Sequence, residues 1–538
     1  LPFSGRGFHV DDTLFVWAGQ HIAQHPFDPY GFKINWNFKQ LPMYEVTKNP
    51  PLACYYIAAV GRLVGWSERA LHLAFLLPAL ALVLGTYRLA KRFTRFAFVA
   101  ALLTLLSPGV LVSASSVMCD TMMLALWVWA VVLWIEGLDS AKSWLLLISG
   151  FLISLSALTK YFGAALIPLL LAYSLFRLRK PGRWIAYLMI PVTFLLAYQW
   201  WTGKIYGNGL LLDAAQFATS QRENTRASTV AMAAMGLSFA GGCMLPALIF
   251  APMTWRWRQL VSGLTVAGVI ALALQLRWID IGQQTGQYLA FSARQQHWLL
   301  IGTQLLLYAA GGIFVLGLAF RDYWRRRDPL SLLLAMWVVG TWIFASFLNW
   351  TVNARSILPL IPAAGILLAR SLGESDATGW PRESISRAAM AMAVCAVTAL
   401  FIANADAQMA NSARDAAYLI MDKLRGRTGT IWYQGHWGFQ YYMESLGATA
   451  LDWSKSAFKP GDVMVTPENN TDLWEISPQV VGSQRIIELA AGRWAATIQW
   501  QLGAGFYSSY WGPMPFAVGP VAPERYTVVW LKQPDAAP

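Results

Sequence analysis

Charged side chains are scarce in this chain. Asp, Glu, Lys and Arg make up 13% of 538 residues while 56% are hydrophobic, a balance that excludes an ordinary soluble domain and matches a polytopic membrane protein. Cysteine is scarce too. Cys54, Cys119, Cys243 and Cys395 show no metal-ligand spacing, and three of them stand in or beside apolar runs where a thiol behaves as a small hydrophobe, so neither a disulfide framework nor a zinc motif is expected. The sequence has no Walker loop, no GxGxxG after a strand, no HExxH and no GxSxG elbow, so soluble nucleotide-driven chemistry is not indicated. Internal repeats and low-complexity tracts are absent as well. Residue 1 is leucine, and no basic, apolar signal segment precedes the first polar loop, so a first transmembrane helix ahead of this sequence is expected.

What is present is a succession of apolar runs of about 17 to 25 residues, the length that crosses a bilayer. They fall near 70–90, 95–113, 119–136, 142–159, 184–202, 230–252, 259–277, 297–320, 330–349, 354–370 and 387–404, with a shorter one at 161–176. These amount to about twelve spans, and an even number puts both ends of the chain on one side. The net charge of +13 gathers in short clusters between spans: RLAKRFTR (Arg88 to Arg95), RLRKPGR (Arg177 to Arg183), TWRWR (Thr254 to Arg258) and RDYWRRR (Arg321 to Arg327). By the positive-inside rule these loops are cytoplasmic, and a nucleic-acid partner is not expected. Residues 1–69 then form a first extracytoplasmic loop, residues 70–404 a transmembrane helical domain and residues 405–538 an extracytoplasmic domain. In a Gram-negative bacterium that side is the periplasm. The last part reads as a small α/β domain: an amphipathic helix over Ser412–Leu424, strand-like TIWYQ, a helix at HWGFQYYMESLG, then DVMVT, RIIEL and YTVVWL.

The charges that break this pattern are the candidates for chemistry. Asp11 and Asp12 open an aromatic, apolar run in the first external loop; successive helix residues point about 100° apart, so one of the two faces any given site. Helix capping is the plainer explanation of the pair. In YEVTKNPPL, Tyr44, Glu45 and Lys48 precede a Pro pair that fixes the chain's entry into the next element; Lys48 could hold a phosphate or simply be solvated. Asp120 sits at the outer end of a span, where an acid by default faces the bundle interior or a cavity, structural contacts between helices being the rival. Lys160 in ALTKYFG and Arg355 in NARSILPLIP also lie at outer ends, where basic groups suit an anionic lipid headgroup and arginine clamps phosphate in bidentate fashion; interfacial anchoring is the alternative. His436 has no second His or Cys placed to help it and reads as a packed or surface histidine.

An acidic pair in the first external loop, a Lys ahead of PPL, an Asp opening the third visible span, a TK pair closing a helix and R…LPLIP near the last spans together resemble the GT-C membrane glycosyltransferases. The likeness is to the branch of protein O-mannosyltransferases and bacterial aminoarabinose transferases, over roughly residues 8–370. It implies a mainly α, polytopic transmembrane bundle of the GT-C fold with a small C-terminal extracytoplasmic α/β domain, set in a bacterial inner membrane. It also implies a sugar donor carried on a polyprenyl phosphate, a protein, lipid or glycan acceptor, and an external-loop acid as base. By motif position Asp11 matches the first acid of the family's Asp-Glu pair and Asp12 replaces the Glu. Lys48 is similar to the lysine that meets the donor phosphate, with Asn49 inserted before the prolines. Arg355 matches a basic residue near the lipid phosphate, followed here by Ser356 where the family often has tyrosine. No cofactor is certain, and a divalent metal is left open.

The chemistry is coherent without that likeness. A hydroxyl attacking an anomeric carbon needs a base within about 3 Å, and a departing lipid phosphate needs fixed cations. Asp11 and Asp12 are the catalytic candidates, with Tyr44, Glu45, Lys48, Asp120, Lys160 and Arg355 as substrate-binding candidates. A transporter or lipid flippase is the rival class, but it would place its charges near the bilayer midplane and tends to show repeats. Here the candidates gather at outer helix ends.

Overall fold

All twelve sequence-expected spans fall on helices. The computed structural model describes residues 1–224, 228–275, 297–374 and 382–532, so the end of the 259–277 span lies outside the described residues. Among those residues eight helices are long and apolar enough to cross a membrane: Glu68–Ala90, Cys119–Ser140, Tyr161–Leu178, Ile185–Tyr206, Trp298–Arg326, Pro329–Leu348, Ala354–Glu374 and Ile385–Lys423. A bent pair supplies a ninth, and the shorter apolar helices Ser143–Thr159, Thr229–Cys243 and Trp257–Ala273 occupy the other expected positions. The protein is a multi-pass membrane protein.

Two expected spans are broken, in both cases at proline. The 95–113 run divides into Ala97–Leu105 and Pro108–Ala114, bent by 64°, because Pro108 brings no N–H and the Ser107 side chain caps the new helix through Val110 N at 3.3 Å. The 230–252 run stops at Cys243 and continues as two short turns that begin around Pro246 and Pro252. A third difference runs the other way. The expected amphipathic helix at Ser412–Leu424 is the end of one continuous helix, Arg382–Lys423, since the alanine-rich sequence offers neither Gly nor Pro before Gly426. At 1.5 Å per residue, a helix of this length extends well beyond a hydrocarbon core of about 30 Å.

The helices are not equally enclosed. In Ala354–Glu374, 94% of the apolar window is buried, against 28% in Ile185–Tyr206 and in Ile385–Lys423, so the span that begins at Arg355 is the central one. Thr229–Cys243 and Trp298–Arg326 meet backbone to backbone. A Cβ on Gly241 would lie 1.9 Å from the Tyr308 carbonyl oxygen, and one on Gly312 would lie 2.1 Å from that of Leu237, the close approach that small residues permit between membrane helices.

Charges divide between the two ends of the bundle. At one end the arginine-rich loops pair with acids: Arg88 with Glu136 at 3.0 Å, Arg92 and Arg177 with Asp139, and Arg370 with Asp322 at 2.8 Å. The other end carries residues 1–67 and the C-terminal domain. The first loop is more ordered than its polarity suggests. It holds the helix pair Asp12–Gln24 and Leu52–Val64, packed so closely that a Cβ on Gly19 would meet Ile57 at 2.7 Å, and a hairpin of Lys33–Trp36 with Lys39–Pro42.

The C-terminal domain is built on a five-stranded mixed sheet with the order Thr449–Ala450, Ile431–Tyr433, Val463–Pro467, Glu524–Leu531, Val481–Leu489. The first three strands are parallel and the last two join antiparallel. Helix Trp437–Ser445 and the end of Arg382–Lys423 pack beside it. The domain is fastened to the first loop: the Tyr442 hydroxyl receives Phe8 N at 2.8 Å, Asn35 Nδ2 donates to Leu451 O at 3.0 Å, and Trp36 stacks on His436 at 4.1 Å. His436, read as packed or surface, is buried in that stack and bonded through Nε2 to Asp472 at 2.5 Å.

Gly241→Val is expected to destabilise the bundle by about 1–3 kcal/mol or more, because its side chain must displace backbone; a lowered unfolding midpoint in detergent is the measurement. Glu524 gives a pH signature. Burial pushes its carboxyl up to about 7, against the hydrogen bond from Asn469. Between the ordinary carboxyl range and pH 7 the folded state holds a proton that the unfolded state releases, so this group's contribution falls as pH rises through that window. The loss is on the order of 3 kcal/mol, and the unfolding midpoint of Glu524→Gln should lack that part of the wild-type decline between pH 5 and pH 7.5.

Candidate active site

The two adjacent aspartates part company at once. Asp11 precedes the first turn of Asp12–Gln24, yet its side chain makes no capping hydrogen bond; its Oδ2 receives Arg355 Nη1 at 2.5 Å instead. Capping therefore does not account for Asp11. Just before it, Val10 has φ +48°, a left-handed conformation that is an outlier for a β-branched residue and a form of strain that clusters at functional sites. Asp12 is wholly buried and turned to another neighbourhood. It accepts Val117 N at 2.8 Å and His9 N at 3.0 Å, and lies 3.7 Å from Arg6 Nη2. Burial pushes its carboxyl up to about 6, against the pull of Arg6 and the two N–H donors, and the same burial brings His9 down to about 4.

Arg355 is the centre of the site. Its Nε donates to Asp120 Oδ2 at 2.8 Å while Nη1 holds Asp11. Lys160 Nζ completes the group on the other oxygen of Asp120 at 2.6 Å. Each side chain arrives at a helix end. Asp120 stands in the first turn of Cys119–Ser140, and Arg355 follows Asn353, whose side chain caps that turn through Ser356 N at 2.8 Å. Lys160 closes Ser143–Thr159 in extended conformation before the turn Tyr161–Ala165. That turn needs Gly163, where a Cβ would sit 2.4 Å from the Ser156 backbone. Exposure grades the cluster: the Asp120 side chain is 1% exposed, Arg355 10%, Lys160 18% and Asp11 29%. Asp11 is the most exposed of the four.

Lys48 stands apart from this cluster, its Nζ 2.6 Å from Asp213 Oδ2 and above the ring of Phe217. It remains close in sequence to the group's surroundings, since Asn49 Oδ1 accepts the Cys119 thiol at 3.8 Å. Tyr44 stacks on Tyr206 at 4.6 Å and Glu45 is exposed on the short helix Met43–Val46. Neither is brought to Arg355. Between Leu52–Val64, Ser143–Thr159 and Ile185–Tyr206 lies an open apolar groove with a volume of about 300 Å³, lined by Pro51, Leu52, Tyr55, Leu158, Tyr198 and Trp201 among others. Two of its walls end within a few residues of Lys48 and Lys160. Among the described residues no three of His, Cys, Asp and Glu come together as a metal site. The two clustered carboxylates face a guanidinium, a donor set that does not fit a cation.

Residues 48–201 match the family model described as dolichyl-phosphate-mannose-protein mannosyltransferase. This stretch resembles the protein mannosyltransferases. The mannosyltransferase-like segment contains Lys48, Asp120, Lys160 and every residue of the groove named above, while Asp11 and Arg355 lie on either side of it. Among solved structures the chain is similar to the Archaeoglobus fulgidus oligosaccharyltransferase tethered to an acceptor peptide, at 14% identity and TM-score 0.45, covering 83% of this chain and 60% of that one. It is similar to ArnT from Cupriavidus metallidurans bound to undecaprenyl phosphate, at 15% identity and TM-score 0.41, covering 86% and 89%. The chain thus spans 60% of the length of the archaeal protein. No curated protein matches it.

Sequence reading missed Arg6, Asp406, Asp213 and Tyr507. Asp406 carried a usable signal, an acid in an alanine-rich apolar helix, the feature that singled out Asp120; Arg6 and Tyr507 gave none. Asp120→Asn removes the shared counter-charge of Arg355 and Lys160. Breaking a buried pair of this kind costs about 3–5 kcal/mol, so the variant is expected to unfold at a clearly lower temperature than wild type, and an unchanged midpoint would show that the pair is not structural.

Proposed function

We propose that the protein is a membrane glycosyltransferase that moves a sugar from a polyprenyl-phosphate carrier to an acceptor hydroxyl, amine or phosphate on the extracytoplasmic side, inverting the anomeric carbon. The observation that carries this reading is the bridge from half-exposed Asp11 through Arg355 to buried Asp120 and Lys160, formed at helix ends beside an apolar groove. The groove offers an apolar wall for an isoprenoid chain. Lys160, two residues beyond the groove-lining Leu158, and Arg355, joined to it through Asp120, suit the phosphate, and the carboxylate suits the acceptor's proton. Support also comes from the match of residues 48–201, which contains the groove and Lys160.

The charges balance in pairs, so an incoming phosphate must displace a carboxylate. Asp120 is enclosed and keeps its partners; Asp11 is the exposed ligand of Arg355 and yields to the phosphate. This exchange turns Asp11 from an ion-pair partner into a free base at the moment the donor arrives. The acceptor O–H then attacks the anomeric carbon, the bond from that carbon to the phosphate oxygen breaks, the proton passes to Asp11, and the charge left on the phosphate rests on Arg355 and Lys160. A single displacement inverts the configuration. The lipid phosphate is itself the leaving group, so no nucleotide site is needed.

Incubating the purified protein with membrane lipid extract, and identifying by mass spectrometry the polyprenyl-phosphate sugar consumed, tests the reading directly. With that donor, Asp11→Asn is expected to fold, to bind polyprenyl monophosphate, and to transfer sugar at least about 100-fold more slowly, the usual scale for a lost general base. Transfer at the normal rate would remove Asp11 from this role.

A further inference from the structure

The residue beside the proposed base leads into a second buried charge network. Arg6, wholly buried, donates through Nη1 to Asp406 Oδ2 at 2.6 Å and to Ser115 Oγ at 3.1 Å, and its Nη2 faces Asp12. Asp406 belongs to the long helix Arg382–Lys423. Its carboxylate is completed from the C-terminal domain: Thr497 Oγ1 donates to Oδ1 at 2.7 Å, and the Tyr507 hydroxyl lies 3.1 Å from both oxygens. Asp12 in turn holds Val117 N, three residues ahead of Asp120. From the far side, the same segment of the C-terminal domain reaches the other partner of the proposed base. Phe506 O accepts Ala354 N at 2.9 Å and Ser509 N donates to Val352 O at 2.8 Å, gripping the backbone on which Arg355 stands. Residues 497–509 thus touch both Asp406, the partner of Arg6, and the backbone on which Arg355 stands.

We propose that Tyr507 and Thr497, acting through Asp406 and Arg6, are positioning residues that hold the backbone of Asp11 in register with that of Arg355, so that seating of the C-terminal domain makes the active site competent. The proposal rests on Asp11 being the base. Four charged or hydroxyl groups from three separate stretches of chain converge on Asp406 and Arg6 in a site sealed from water, where a misplaced partner leaves a buried charge unpaired. The Asp11 side chain is held by Arg355, and a displacement of about 1 Å in such a group is enough to cost on the order of 100-fold in rate.

Tyr507→Phe removes one hydroxyl and keeps the ring, so the domain stays folded. With the donor found in the lipid extract, kcat should fall about 5- to 10-fold while the dissociation constant for polyprenyl monophosphate stays within about twofold of wild type, the split expected when only the reacting geometry is lost. Asp406→Asn should lower kcat about 100-fold and Asp406→Glu should restore part of it. Hydrogen exchange supplies a readout that needs no substrate: amides of residues 9–16 and 117 should exchange faster in Tyr507→Phe while strand Glu524–Leu531 stays protected. Full kcat and unchanged exchange in Tyr507→Phe, with Asp11→Asn inactive, would overturn the positioning role. So would loss of protection throughout the C-terminal strands, which marks a merely structural residue. Accelerated exchange alongside a fully active Asp11→Asn would instead overturn the reading of Asp11 as base and leave the coupling standing.

Discussion

The structure depends on one guanidinium between two carboxylates. Arg355 opens the most enclosed span of the bundle and could not stand there alone, because a buried charge without partners is among the most costly features a fold can carry. Asp120 answers it from a second span, Asp11 from the first loop and Lys160 from the end of a third helix through Asp120. The mutual need of these groups fixes where four chain segments meet. Packing elsewhere is permissive: small residues let helices approach at Gly241 and Gly312, and apolar faces fit lipid or one another.

The neighbouring aspartates divide the work because successive residues at a helix start point in different directions. Asp11 serves Arg355 and Asp12 faces Arg6, and each arginine also has a second acid from a membrane helix, Asp120 in one case and Asp406 in the other. The two networks share a backbone step at residues 11 and 12 and a wall formed by residues 497–509. The C-terminal domain is thereby joined to the Arg355 cluster by hydrogen bonds to the chain that holds it, from Ala354 N to Phe506 O and from Ser509 N to Val352 O. The length of Arg382–Lys423 makes this possible, since a helix stopping at the membrane surface would leave Tyr442, Arg414 and Glu68 without their common meeting point.

The exposure gradient across the Arg355 group has a chemical consequence. Asp120 is sealed and gives the cations a permanent counter-charge; Asp11 is half-buried and replaceable. In the proposed reaction, a phosphate arriving along the groove would exchange with the replaceable carboxylate, so that donor binding and release of the base would be one event. A free carboxylate and an empty cation site at the same time would be a less stable resting state.

The spans and the strands of the C-terminal domain were legible from hydrophobic period, because each depends on neighbours in sequence. So was the oddity of Asp11, Asp120, Lys160 and Arg355, charges standing where apolar helices end. The breaks at Pro108 and Pro246 were visible as prolines but not as bends, since a membrane helix absorbs or yields to proline according to what packs against it. The helix Leu52–Val64 is apolar but only 13 residues long, too short to register as a membrane span. The sequence by itself determined which charges must find partners in an apolar setting; only the tertiary structure decided which partners, because residues 6 and 406, 11 and 355, or 406 and 507 are brought together by chain segments hundreds or scores of residues apart, and no local pattern encodes such a meeting.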